Sequence, residues 1–208
     1  LYPTVETFKY PKAGEKNSLV SLHIYDAASN AVKKVDLSNY NDFYIARLKW
    51  TNDSNVLSAQ VINRYQDNLD VIFVDGNSGT KKVILNEKDK AYVDVTDNLT
   101  FLKDNSFIWT SEKDGFNHIY YYDKTGKLKN QVTKGNWDVT AYYGFDEKNK
   151  TIYYQSVENG SINRDVYSIS IDGKAKKRLS LKTGTNNATF SPNFQYFINT
   201  YSSATSAP

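Results

Sequence analysis

Residues 72–85 read Ile72-Phe73-Val74-Asp75-Gly76-Asn77-Ser78-Gly79-Thr80-Lys81-Lys82-Val83-Ile84-Leu85. A short apolar run ends in Asp and Gly, and a second run that begins with two lysines follows after a turn. Asp and Gly tolerate the backbone conformations of tight turns, and the apolar and β-branched flanks are typical of strands. The stretch therefore predicts a β-hairpin, and the recurrence of this hairpin decides the fold.

The same hairpin occurs four times at an almost constant interval. Its Asp residues stand at positions 26, 75, 123 and 172, which are 49, 48 and 49 residues apart. A second strand–turn–strand pattern lies between the hairpins, with turns at 52–54, 103–105, 147–149 and 192–193. Each period therefore supplies four short strands. A four-stranded unit that recurs every 45 to 50 residues or so is typical of a propeller blade.

The strand count predicts an all-β chain: a β-propeller fragment of about four blades, each with four antiparallel strands. We expect residues 1–18 to form an extended arm or connector and residues 19–208 a partial propeller. The expected divisions are a half blade at 19–37, blades at 44–86, 99–133 and 139–181, and a half blade at 187–208. A propeller closes to hide its strand edges, so this count favours an arc of a larger ring. The alternative is a complete small ring in which the two half blades pair as a fourth blade.

Composition limits the functions that this chain can have. Among its 208 residues there is no Cys and no Met. Without Cys, disulfides, thiolate metal sites and cysteine nucleophiles are excluded. Without Met the chain cannot begin at its own initiator, so we expect a processed or excised product. The net charge of +3 is spread along the chain, which predicts no nucleic-acid partner. The longest apolar run is too short for a membrane span, which predicts no membrane insertion by this segment.

The sequence shows no arrangement of catalytic residues. A Gly-x-Ser-x-Gly nucleophile elbow is absent. The two histidines, His23 and His118, lie beside predicted strands, and we interpret both as strand residues rather than bases. His, Asp and Glu do not cluster at the close spacing of metal ligands. We therefore expect no catalytic residue, no metal and no cofactor in this chain.

Three stretches carry a family resemblance. They are Tyr10-Pro11-Lys12-Ala13-Gly14-Glu15-Lys16-Asn17, then residues 109–120 with Thr133-Lys134-Gly135-Asn136-Trp137-Asp138-Val139, and finally Phe190-Ser191-Pro192 with Thr200-Tyr201-Ser202-Ser203. In the same order they resemble motifs of the N-terminal β-propeller domain of the dipeptidyl peptidase IV family, in the prolyl oligopeptidase clan of serine peptidases. The resemblance covers essentially the whole chain, and the absence of cysteine favours a bacterial member.

The resemblance implies an eight-bladed parent propeller that caps an α/β-hydrolase domain. Such proteins remove N-terminal X-Pro or X-Ala dipeptides from peptide substrates with a Ser-Asp-His triad in the hydrolase domain. That triad, and the Glu pair that holds the free amine of the substrate, would fall outside this chain. The resemblance further implies a homodimeric parent and a periplasmic, secreted or surface-anchored location.

Two segments are candidates for a functional role on the basis of the resemblance. Tyr92 and Asp94 lie in a connection between blades whose counterpart approaches the substrate cleft; ordinary packing of the tyrosine and a turn at the aspartate are the alternatives. Tyr2, Pro3, Tyr10 and Pro11 lie in a segment whose counterpart helps to form a homodimer; an extended connector is the alternative.

Two hypotheses of function remain. The chain is either a non-catalytic propeller fragment that gates and shapes the cleft of a dipeptidyl peptidase IV-like exopeptidase, or a stand-alone propeller-like module that binds protein or glycan. The fold alone does not decide between them, because propellers host many unrelated functions. A downstream Gly-x-Ser-x-Gly domain in the gene would support the first, and a stop codon the second.

Overall fold

A computed structural model describes residues 2–10 and 12–207. Within them every regular element is a β-strand, and no helix is present that is long and apolar enough to cross a membrane. The strands are β1 (His23–Asp26), β2 (Ala31–Lys34), β3 (Phe43–Trp50), β4 (Val56–Asn63), β5 (Asn68–Asp75), β6 (Lys81–Lys88), β7 (Thr100–Phe101), β8 (Phe107–Ser111), β9 (His118–Tyr122), β10 (Leu128–Gln131), β11 (Val139–Asp146), β12 (Thr151–Ser156), β13 (Asp165–Ser170), β14 (Lys177–Arg178), β15 (Thr185–Phe190) and β16 (Phe197–Ser202).

The strands form three four-stranded sheets and two hairpins. Strands β3–β6, β7–β10 and β11–β14 each make one sheet in chain order, and every pairing is antiparallel. Strands β1–β2 and β15–β16 make the hairpins. This architecture confirms the all-β propeller fragment of about four blades. The two hairpins lie in separate sheets in this structure, so they do not pair as a shared fourth blade.

The recurring aspartates act as predicted, by closing turns. The Oδ1 atoms of Asp26, Asp75, Asp123 and Asp172 each accept a hydrogen bond from the backbone N–H two residues later, at 2.8–3.0 Å. Hydrogen bonds from the residues that follow hold the pKa of all four carboxyls below its usual range. Such an Asp-mediated turn reverses the chain without a longer loop.

Successive sheets pack face to face and bury one apolar layer between each pair. Hairpin β1–β2 covers Leu57 and Val74 of the first sheet. The first and second sheets bury a layer that contains Trp109, which is 1% exposed, and the second and third bury one that contains Tyr154. Between the third sheet and hairpin β15–β16 the layer is aromatic and includes Tyr153, whose ring centroid is 4.6 Å from that of Phe190. The five units therefore form one continuous series.

Candidate functional site

The connection between the first and second sheets borders a cavity of about 350 Å³. Tyr92 and Asp94, the two residues singled out from the sequence, both line it, and the ring of Tyr92 is half-exposed. The other wall comes from the end of β8 and the turn after it. The full lining is Glu87, Lys88, Asp89, Tyr92, Val93, Asp94, Val95, Thr96, Asp97, Asn98, Trp109, Thr110, Ser111, Glu112, Lys113 and Asn117.

The first half of this connection is fixed by a turn and by one backbone contact. Asp89 Oδ1 accepts hydrogen bonds from the backbone N–H of Ala91 at 2.7 Å and of Tyr92 at 3.4 Å. The Val93 N–H donates to the carbonyl of Gln66 at 2.8 Å. The backbone that carries Tyr92 is therefore held at both sides of the residue.

The second half is tied to both neighbouring sheets through polar side chains, of which Gln60 and Thr110 are buried. Gln60 of β4 donates from Nε2 to the carbonyl of Thr96 at 2.9 Å. Thr96 Oγ1 lies 2.9 Å from Thr110 Oγ1 of β8, and Asn98 Nδ2 donates to the same Thr110 oxygen at 3.1 Å. The connection is thus a positioned part of the framework, which suits it to present side chains to a ligand.

The floor of the cavity contains a buried carboxylate, Glu87, at the end of β6. Its Oε1 accepts a hydrogen bond from Trp109 Nε1 at 3.1 Å and its Oε2 one from Ser111 Oγ at 2.7 Å, so it joins the first sheet to the second. Burial raises the pKa of Glu87, although these hydrogen bonds and the charge of Lys113 oppose the shift. Desolvation disfavours the ionised form of the carboxyl and dominates here.

Lys113 is held at the side of the cavity by two tyrosines. Its Nζ donates to the Tyr122 hydroxyl at 2.6 Å and stands 3.9 Å from the centroid of the Tyr120 ring. Burial lowers the pKa of this ammonium group, while the neighbouring carboxylates oppose the shift. A cation over the face of an aromatic ring is attracted by the ring quadrupole. The side chain of Lys113 is therefore held against Tyr120 and Tyr122 at the side of the cavity.

The rest of the lining is strongly acidic. Burial, followed by the charges of Asp94, Asp138 and Asp89, raises the pKa of the Glu112 carboxyl. Five carboxyl groups and two lysines line the cavity, although the whole chain carries a net charge of +3. The arrangement can bind and orient a polar ligand. In the described ranges no group of His, Asp or Glu is arranged to hold a metal ion.

The two histidines lie outside this cavity. His118 is fully buried, with Nδ1 3.0 Å from Thr133 Oγ1 and Nε2 2.9 Å from the carbonyl of Gly135. Both ring nitrogens of His118 are therefore engaged in holding the connection to the third sheet. His23 is exposed on β1, where its Nε2 lies 3.0 Å from Ser21 Oγ. The expectation that no catalytic residue lies in this chain stays a prediction.

The candidate arm is extended and highly exposed over residues 2–10. Tyr2 is 99% exposed and Tyr10 65%, and Pro3 is likewise exposed. Pro11 lies outside the described residues. Behind the arm, Arg64 Nη2 donates to the carbonyl of Glu15 at 2.6 Å, which fixes the start of the folded part.

The cavity also contains residues that the sequence interpretation did not single out as site residues: Glu87, Trp109, Ser111, Glu112 and Lys113. Four of them stand in the 109–120 stretch that carried the family resemblance, so a signal for them was present. The sequence signal for Glu87 was weaker, because it consisted only of an acidic residue near the end of β6, the fourth strand of its sheet.

Comparison with known proteins agrees with this architecture. The family model described as the dipeptidyl peptidase IV (DPP IV) N-terminal region matches residues 1–208. A crystal structure of Porphyromonas gingivalis dipeptidyl peptidase 4 superposes with a TM-score of 0.88 at 46% identity and covers 95% of this chain. A putative dipeptidyl aminopeptidase IV from Bacteroides ovatus superposes with a TM-score of 0.78 over 94% of the chain; at 24% identity it supports the fold alone.

Curated relatives lead to the same family. A probable dipeptidyl peptidase 4 of Aspergillus flavus is 29% identical over 96% of this chain, and a probable dipeptidyl-aminopeptidase B of Phaeosphaeria nodorum is 31% identical over 88%. The chain spans only 28% and 22% of the length of these two relatives, and 28% of the Porphyromonas chain. The fold, the ordered motifs and a family match along the whole sequence together show that this chain belongs to the dipeptidyl peptidase IV N-terminal region family.

Proposed function

We propose that this chain is the part of a dipeptidyl peptidase IV-like serine exopeptidase that gates and shapes the substrate cleft, without being catalytic itself. The parent protein would release N-terminal X-Pro or X-Ala dipeptides from peptide substrates. One observation carries the proposal: Tyr92 and Asp94, selected from the family resemblance, line the same 350 Å³ cavity on a connection anchored to two sheets.

The cavity chemistry supports contact with a peptide. Tyr92 offers an exposed aromatic face, and Asp94 a carboxylate that can accept hydrogen bonds from peptide N–H groups. Trp109 and Ser111 are locked by Glu87, so the wall opposite the connection is preorganised. A preorganised wall lowers the entropic cost of ordering a ligand.

The test uses the full-length protein and compares Tyr92→Ala and Asp94→Asn with the unchanged enzyme on tri- and tetrapeptides with proline at the second position. We expect KM to rise roughly two- to tenfold for Tyr92→Ala, which corresponds to about 0.5–1.5 kcal/mol of lost aromatic contact, with kcat little changed. Tyr196→Ala is the matched control, since Tyr196 is 75% exposed directly before β16 and does not line the cavity. Unchanged KM values in both cavity variants would refute the cleft role.

The exposed arm supports a second part of the proposal, a homodimeric parent. The side chains of Tyr2, Val5, Phe8 and Tyr10 are 99, 91, 74 and 65% exposed. Several large apolar side chains exposed in one short segment are typical of an interaction surface. Replacing Tyr2, Phe8 and Tyr10 with serine in the full-length protein should convert dimers to monomers in sedimentation experiments. A dimer that persists unchanged would show that the arm is only a connector.

The family resemblance also leads us to propose a periplasmic, secreted or surface-anchored location. Fractionation of cells that produce the full-length protein tests this directly. Recovery of the protein only in the cytoplasmic fraction would contradict it.

A further inference from the structure

The end of the connection between the first and second sheets is held at four consecutive residues, 96–99. Arg47 of β3 forms an ion pair with Asp97, and Lys49 of the same strand donates from Nζ to the Leu99 carbonyl at 2.5 Å. Residues 96 and 98 are bound in the same way by side chains of β4 and β8. Side chains of the two sheets therefore fix the path of the chain into β7.

One of these anchors, Gln60 of β4, leaves an end of its amide without a partner. Its Nε2 must face the Thr96 carbonyl, because a carbonyl oxygen can only accept a hydrogen bond. The Oε1 atom is therefore the free end, and it has no hydrogen-bond partner among the residues that the structure describes. Gln60 is only 4% exposed, so bulk water does not reach this oxygen. A buried polar atom left unpaired costs free energy, and native structures contain few of them.

Gln60 also lines a second, smaller cavity of about 60 Å³ beside the connection. The lining is Arg47, Leu48, Lys49, Ser58, Gln60, Asp97 and Leu99. A water molecule takes up about 30 Å³ in the liquid and needs two to four polar partners when it is buried. The cavity therefore has room for one or two waters, and its lining offers both hydrogen-bond donors and acceptors.

The third sheet shows how the same position of the repeat is completed. Gln155 and Gln60 are each the fifth residue of the second strand of their sheet, and each is 4% exposed. Gln155 likewise donates from Nε2 to a backbone carbonyl of the next unit, that of Asn186, at 2.6 Å. Its Oε1, unlike that of Gln60, accepts a hydrogen bond from Thr140 Oγ1 at 2.7 Å.

The difference between the two sheets lies in a single residue of the first strand. Thr140 is the unpaired residue of a β-bulge, and the residue after it pairs with Gln155. Ala46 is the unpaired residue of a β-bulge in the first sheet, and the residue after it pairs with Gln60. Because alanine has no hydroxyl group, the donor that Thr140 supplies to Gln155 has no counterpart at Gln60.

We propose that the small cavity binds an ordered water molecule that donates a hydrogen bond to Gln60 Oε1, as the Thr140 hydroxyl does to Gln155. The ammonium group of Lys49, which also lines the cavity, gives the water a donor from which to accept. A buried water with two or more such partners is a fixed part of a protein structure.

This water completes the anchor of the connection. Gln60 Nε2 holds the Thr96 carbonyl and the water holds Oε1, so the amide is fixed at both ends. Gln60 is therefore a positioning residue for the segment that carries Tyr92 and Asp94. This step rests on the proposed role of Tyr92 and Asp94 in the substrate cleft, whereas the water site does not.

Crystal structures of the full-length protein and of its Ala46→Thr variant, at a resolution that shows ordered water, test the site. We expect a peak about 2.7–3.0 Å from Gln60 Oε1 in the unchanged protein, and the introduced hydroxyl in its place in the variant. A cavity without a peak would overturn the proposal. So would a peak with several oxygen neighbours at about 2.3–2.6 Å, which would identify a metal ion.

Two variants at position 46 test the equivalence with the third sheet. Threonine and valine have nearly the same shape, so the hydroxyl group is what distinguishes Ala46→Thr from Ala46→Val. A group that reproduces the hydrogen bond of an ordered water can replace that water without loss. We expect a higher melting temperature for Ala46→Thr than for Ala46→Val. Equal values, or the reverse order, would overturn the assignment.

The positioning role is tested by the kinetics of the full-length protein on peptides with proline at the second position. Gln60→Leu and its matched control Gln155→Leu each remove a buried amide of the same 4% exposure from the same position of the repeat. Both should lower the melting temperature. We expect only Gln60→Leu to raise KM, by at least about twofold, with kcat little changed.

The outcomes separate this proposal from the cleft function on which its last step rests. Equal KM changes in the two glutamine variants would indicate a general loss of stability and refute the positioning role. An unchanged KM for Gln60→Leu, where Tyr92→Ala raises KM, would refute that role alone. Unchanged KM values for Gln60→Leu, Tyr92→Ala and Asp94→Asn would refute the cleft function and the positioning role together, while the crystal structures decide the water site by themselves.

Discussion

At the scale of single residues, Glu87 is the group on which the cavity wall depends. It is 8% exposed, and it links the indole of Trp109 and the hydroxyl of Ser111 on the neighbouring sheet to the end of β6. Its carboxyl group has a raised pKa because burial outweighs its hydrogen bonds. A second buried carboxylate, Asp165, has a lowered pKa. The two residues therefore lead to predictions in which stability depends on pH in opposite directions.

For Glu87 we predict that the stability of the Glu87→Gln variant, relative to that of the unchanged chain, increases as the pH rises. A folded-state pKa above the unfolded value contributes stability that is present below the unfolded pKa and is lost as pH rises through the folded pKa. The amide does not titrate, so the melting temperature of Glu87→Gln relative to the unchanged chain should rise between about pH 4 and pH 7. A difference that is independent of pH would contradict the assigned shift.

For Asp165 we predict the reverse dependence. Burial opposes ionisation, but Asn159 at 2.9 Å, Ser180 at 2.8 Å and Arg178 at 2.7 Å donate hydrogen bonds that hold the pKa of Asp165 below its usual range. This contribution is present above the unfolded pKa and is lost as pH falls through the folded value. Asp165→Asn should cost roughly 1.5–3 kcal/mol near neutral pH and less in acid, as measured by urea unfolding. An equal cost at both pH values would refute the account.

Some residues of the cavity were singled out from the sequence, and others were missed for a physical reason. Tyr92 and Asp94 were chosen on the family resemblance, in which the counterpart of this connection approaches the substrate cleft, and their role in a cleft stays a prediction. Glu87 was missed because its importance comes from Trp109 and Ser111 on a different sheet, a contact made only when the two sheets pack. A single sequence reports local patterns well, whereas partners across a sheet interface depend on the tertiary arrangement.

At the scale of elements, the turns set where each strand ends. The interval of 48 or 49 residues between aspartates predicted the hairpins, and each aspartate does accept the expected turn hydrogen bonds. Strand lengths were less predictable. Strand β14 contains only Lys177 and Arg178, because the turn before it extends through Ala175, whose φ is +51°.

A substitution at Gly126 tests the close approach between the turn before β10 and the first sheet. The φ of Gly126 is +88°, and a Cβ atom there would lie 2.0 Å from the carbonyl oxygen of Ile84 in the first sheet. Gly126→Ala combines a left-handed backbone penalty with an overpacked contact, so we expect a loss of at least about 2 kcal/mol in the free energy of unfolding.

The matched control is Gly115→Ala. Gly115 has a similar φ of +98° but nothing within 4 Å of a Cβ atom, so it isolates the backbone penalty. Thermal and urea unfolding of both variants should place Gly115→Ala closer to the unchanged chain. Equal losses in the two variants would show that the close approach to Ile84 is unimportant.

At the scale of the whole molecule, the sheets form a series in which each one covers the next. That series follows from the repeat, because every sheet has two apolar faces that need a neighbour. The candidate cavity lies on one of the connections in this series, between the first and second sheets. The sequence predicted the number and order of the units, but the cavity volume and its acidic lining depend on how two sheets and a connection pack, which only the structure shows.

The activity of the 208-residue chain, measured beside that of the full-length protein on a Gly-Pro chromogenic substrate, tests the central claim most directly. We predict an active full-length enzyme and a silent chain, because a fragment that only shapes the cleft supplies no nucleophile. Turnover by the purified chain, or a full-length protein without dipeptidyl peptidase activity, would contradict the account.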